Sequence, residues 1–70
     1  MTEAQALLEA NKRIKAPEKD ELLNEWVVYY LENGHWIRKS FISDDGAYVF
    51  MYTKLREFKQ EIMLNQGRNM

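Results

Sequence analysis

The chain has 70 residues, with ten Lys and Arg against eleven Asp and Glu, a net charge of −1 and 46% hydrophobic content. That is the composition of one small globular domain rather than of a disordered chain. It contains no cysteine and a single histidine, which excludes disulfide staples, thiolate metal sites and any multi-histidine site within one chain.

A core of this size barely outweighs the entropy of ordering the backbone. Stability must then come from good helix packing, from a homo-oligomer or from a larger partner. No stretch approaches the ~18 consecutive apolar residues of a membrane span. The opening residues Met1 to Gln5 lack the basic-then-apolar order of a signal peptide, so a cytoplasmic protein that does not enter a membrane is expected. Residues 1–35 carry four basic and seven acidic side chains and residues 36–70 carry six and four. This asymmetry is too weak for the electrostatic footprint of a dedicated phosphate binder.

In chain order, residues 3–16 read as a helix. Thr2 and Gln5 make a capping-box pattern. Ala4, Leu7, Leu8 and Ile14 form a thin apolar stripe, while Ala6, Ala10 and Ala16 supply propensity without much burial. Lys12, Arg13 and Lys15 suit the negative end of the helix dipole, and Pro17 stops it. Residues 17–25 are expected to be a short helical turn with Pro at its first position, anchored by Leu22 and Leu23, or an extended connector.

Residues 26–43 carry the strongest local signal. Trp26 to Leu31 and His35 to Ile42 are rich in aromatic and β-branched residues. Asn33-Gly34 between them supplies the two positive-φ positions of a type I′ turn, so a two-residue hairpin is predicted. That turn fixes a register pairing Glu32 with His35, Leu31 with Trp36, Tyr30 with Ile37, Tyr29 with Arg38, Val28 with Lys39, Val27 with Ser40 and Trp26 with Phe41. Opposed residues share a face. One face then holds Trp26, Val28, Tyr30, Ile37 and Phe41; the other holds Val27, Tyr29, Leu31, Trp36, Arg38, Ser40 and Ile42.

Residues 44–65 carry Tyr48, Met51, Leu55, Phe58 and Ile62 at alternating spacings of three and four, which predicts a helix capped by Ser43 or Asp44 and ended by Gly67, with the last three residues frayed. Asp45-Gly46 followed by Ala47 to Tyr52 offers a competing reading as a second hairpin and third strand. The sustained period favours the helix. The expected architecture is α+β, a small single domain in the order helix, short turn, strand, strand, helix, with the antiparallel hairpin packed against the C-terminal helix.

Little in the chain suggests catalysis. His35 faces Glu32 across the tight turn, most simply as a solvated cross-strand pair of about 0.2–1 kcal/mol. Asp44 and Asp45 are adjacent and point in different directions, which suits a helix start better than a metal. Glu18, Asp20, Glu21 and Glu25 form a small acidic run, simplest as a solvated face. Ser40 and Ser43 have no histidine at a suggestive spacing, and the three glycines form no phosphate loop. No catalytic, metal or cofactor site is expected, and the chain reads as a non-enzyme.

The aromatic face is the distinctive feature. Val27, Tyr29, Leu31, Trp36, Arg38 and Ser40 form a candidate protein-binding surface, because Trp, Tyr and Arg dominate interface hot spots. The simpler alternative is that the N-terminal helix covers this face and makes it core. The expected role is a small regulator, adaptor or inhibitor of a larger protein, acting through the hairpin face. One rival is a nucleic-acid binder whose β-ribbon uses Lys12, Arg13, Lys15, Arg38 and Lys39. Glu25 and Glu32 on the same ribbon weigh against it. Another is a homo-oligomeric structural or accessory protein, since open hairpin edges and a spare apolar face invite self-association.

Overall fold

Asn33 and Gly34 adopt φ values of 50° and 80°, the left-handed pair that a two-residue hairpin requires. In the computed structural model, which describes residues 2–68 and side chains through Asn65, they join β2 (Glu25–Glu32) to β3 (His35–Phe41). Every pairing expected from the turn is present, from Glu32 opposite His35 to Trp26 opposite Phe41. The chain is α+β, with α1 (Glu3–Asn11) and β1 (Glu18–Asp20) before the hairpin and α2 (Asp44–Arg68) after it. The three strands form one antiparallel sheet in the order β1-β2-β3.

The capping box at the start of α1 forms as expected. The Thr2 hydroxyl accepts from the Gln5 N–H at 3.1 Å, and the Gln5 side chain accepts from the Thr2 N–H at 2.9 Å. Helix α1 nevertheless ends at Asn11 rather than at residue 16. Beyond it the chain turns extended and Ile14 pairs with Tyr30. The Lys15 N–H donates to the Tyr29 carbonyl at 2.9 Å, and the Leu31 N–H donates to the Arg13 carbonyl at 2.7 Å. Two sheet hydrogen bonds and the burial of Ile14, 6% exposed, replace the last helical turn that propensity favours.

Residues 17–25 are not a helical turn. They hold β1, the loop 21–24 and, at Glu25, the first residue of β2, with which β1 pairs antiparallel. An Asp20 carboxylate oxygen accepts from the Leu22 and Leu23 N–H groups, both at 3.1 Å, and Asn24 takes the left-handed conformation at φ 53°. Such an Asx-type closure competes directly with helix formation. Leu22 and Leu23 are exposed rather than anchors.

The buried face of α1 also differs from the expected stripe. Ala6 and Ala10 are fully buried, whereas Leu7 and Leu8 are 43% and 65% exposed and Ala4 is exposed. The helix packs by its small side chains against α2, where alanines let two backbones approach closely.

Helix α2 starts as the capping pattern implies, with the Ser43 hydroxyl accepting from the Gly46 N–H at 3.3 Å. Residues 47–53 are helical, which settles the choice against a third strand after Gly46. The helix continues through Gly67 to Arg68, because one glycine near an end weakens a helix without obliging it to stop. Of the last three residues, expected to fray, Arg68 is still helical, and residues 69 and 70 lie outside the described residues.

The predicted stripe on α2 is partly rotated. Ala47, Phe58 and Ile62 are buried and Phe50, Met51 and Leu55 pack beside them, but Tyr48 faces outward. Phe50 stands 5.3 Å from the Tyr30 ring and 5.2 Å from the Phe41 ring, centroid to centroid. Around it the core gathers Val28, Trp26, Ile14 and the α1 alanines. Both helices thus lie on one side of the sheet, and α1 rests on α2 rather than on the strands.

Candidate protein-binding face

Side-chain alternation on β2 and β3 sends two sets of residues to opposite sides of the sheet. Trp26, Val28, Tyr30 and Phe41 meet α2. Tyr29, Leu31, Trp36, Arg38 and Ser40 share the side that neither helix covers, by the pairings Tyr29–Arg38, Leu31–Trp36 and Val27–Ser40. Trp36 is 49% exposed, while Tyr29 and Leu31 are half-buried beside it. Val27, in the central strand, is only 3% exposed and forms the floor of this face rather than a contact residue. Ile42 lies beyond the end of β3 and is fully exposed.

Three further residues complete the face. Lys15 is carried there by the Ile14–Tyr30 bridge, with its ammonium 5.0 Å from the Trp36 ring centroid and 6.0 Å from that of Tyr29. A cation over two aromatic rings is held by their quadrupoles. Asp20 on β1 and Glu25 on β2, opposite each other in the sheet, both receive the Arg38 guanidinium, at 3.1 Å and 2.8 Å. The pairing joins all three strands. The Glu25 hydrogen bond is the main cause raising the Arg38 pKa above its ordinary value, with the Tyr29 hydroxyl assisting against partial desolvation.

Arg38 is therefore fixed in orientation by groups of its own chain. Its ion pairs are partly solvated, so their worth is modest and lies mainly in geometry. Sequence reasoning missed this cluster because it needs β1, which has no alternating apolar pattern to announce it. The Lys15 position likewise depends on a bridge that a helix over residues 3–16 would forbid.

The five basic residues of the nucleic-acid alternative are not brought together. Lys15 and Arg38 share the open face. Lys39 lies over the Phe50 ring at 5.7 Å on the helix side. Lys12 pairs with Glu9 at 3.1 Å, and Arg13 lies over Phe58 and reaches Glu61 at 3.8 Å. These five residues do not form a stripe of unpaired cations able to track phosphates.

His35 and Glu32 sit opposite each other in register without closing an ion pair. Among the described residues, no three His, Cys, Asp or Glu side chains converge as a metal set, and no helix is long and apolar enough to cross a membrane. Comparison with protein-family models, with curated proteins and with solved structures finds no match to this chain.

Proposed function

We propose that the chain is a non-enzymatic protein-binding module, a small cytoplasmic regulator, adaptor or inhibitor that docks a larger protein on its open sheet face. The observation that carries this reading is the half-exposed Trp36, set on a paired strand beside Tyr29 and Leu31, with no helix over it. Large aromatics with few rotatable bonds are among the groups that dominate interface energies. Tyr29 and Leu31 supply adjoining apolar surface. Arg38, oriented by Asp20 and Glu25, offers its remaining N–H groups at the rim.

The test compares the wild-type chain and Trp36→Ala as immobilised baits in native extract. Because half of the ring is already in water, the variant should keep its circular dichroism and cooperative unfolding. Its affinity for the retained partner should fall by about 2 kcal/mol. Identical retention by both baits, or an unfolded variant, defeats the proposal. A salt titration against DNA and RNA decides the alternative, since phosphate-driven binding falls steeply with salt.

A further inference from the structure

The outward side of α2, opposite the sheet, carries a second surface with its own pattern. Asp45, Val49, Tyr52 and Arg56 follow one another at spacings of four, three and four, which places them along a single helical seam. Val49 and Tyr52 are 65% and 60% exposed, and Tyr48 flanks them with its ring centroid 6.5 Å from that of Tyr52. Asp45 and Arg56 at the two ends are also exposed. Among the described residues neither takes part in an ion pair. An apolar centre bounded by an unpaired anion and an unpaired cation is complementary to a copy of itself turned end for end.

The molecule also exposes more surface than its mass calls for. Its accessible area is 5286 Å², where a compact monomer of 8.4 kDa exposes about 4,600 Å². Its radius of gyration is 13.6 Å, against about 11 Å for a compact domain of this length.

We infer that the chain forms a homodimer through antiparallel pairing of α2 with α2 of a second copy. In the register fixed by the charges, Asp45 faces Arg56 of the second copy and Val49 faces its Tyr52, each pairing occurring twice about the dyad. The antiparallel arrangement also opposes the two helix dipoles favourably. The seam and the open sheet face lie on opposite sides of the fold, so a dimer would present two partner-binding faces outward. The dimer stands independently of what those faces bind.

Sedimentation velocity across a concentration series tests the inference with the full chain and three variants, Asp45→Arg, Arg56→Asp and Tyr52→Asp. The wild-type chain is expected to dimerise. Arg56→Asp and Asp45→Arg alone should each weaken the dimer about tenfold or more, through two lost pairs and the repulsion that replaces them. Their equimolar mixture should recover it, because both opposite-charge pairs re-form in the heterodimer. A wild-type monomer at about 0.5 mM overturns the inference, as does a mixture that fails to recover. Circular dichroism reports whether Asp45→Arg, at the helix start, remains folded. If it does not, the mid-helix pair decides: Arg56→Asp and Tyr52→Asp must both dissociate the dimer, and a dimer indifferent to either one refutes the seam.

Discussion

Replacing Ala10 by Leu, beside the control Leu8→Ala, tests how α1 is held to the rest of the molecule. Ala10 is fully buried against α2 and Leu8 is 65% exposed. Three extra heavy atoms at position 10 have no space to enter, so α1 must lift or α2 must shift, at about 1–3 kcal/mol for overpacking. At position 8 only about a third of the side chain leaves water. Against roughly 1.5–3 kcal/mol for full burial of a leucine, its removal costs about 0.5–1 kcal/mol, partly offset by alanine's better helix propensity. A 70-residue domain has a total stability of roughly 3.5–10 kcal/mol, so the first change is a large fraction of the whole and the second is not. Urea unfolding followed by circular dichroism reads both, with a slope near 1 kcal/mol per molar for a protein this small. Ala10→Leu should shift the midpoint by about 1–3 M and Leu8→Ala by under about 1 M. The reverse order, with Leu8→Ala losing about 2 kcal/mol or more and Ala10→Leu neutral, would return the leucines to the core and refute the packing described above.

Two other measurements probe the turn and the helix contact. A Cβ at Gly34 would meet nothing within 4 Å, yet φ there is +80°. Gly34→Ala should therefore destabilise by about 1–2 kcal/mol through backbone conformation alone, and D-alanine at the same position should restore stability. The Lys59 ammonium lies 2.7 Å from Glu3 and, by hydrogen bond first and charge second, holds that carboxyl below its ordinary pKa. A carboxylate whose folded pKa is lowered contributes stability that is complete above its unfolded value and disappears as pH falls through the folded one. The stability difference between the wild-type chain and Glu3→Gln should accordingly shrink to nothing on acidification. A difference constant from neutral pH to below the carboxylate range would show that the pair contributes nothing.

Local chemistry settles a good deal of this molecule in advance. Asn33-Gly34 admits one kind of reversal, and a two-residue reversal admits one register, so all seven hairpin pairings, and which hairpin residues share the open face, follow from sequence. Thr2 with Gln5, and Ser43 before the acidic start of α2, name both helix beginnings because capping groups lie within three residues of the backbone they satisfy. Tyr29, Leu31, Trp36, Arg38 and Ser40 share a face for the same reason.

Tertiary packing decided the rest. Residues 13–20 read as helix and connector by propensity, but Ile14 gains a buried site and Arg13 and Lys15 gain backbone partners only once β2 exists beside them. That choice brings Lys15 to Trp36 and gives Asp20 a place next to Arg38, so the polar frame of the candidate face was hidden in a strand with no pattern of its own. The inward alanines of α1 were hidden too. Hydrophobic periodicity ranks side chains by size, whereas two helices in close contact select what fits between their backbones, and that gap is defined only after both helices are in place.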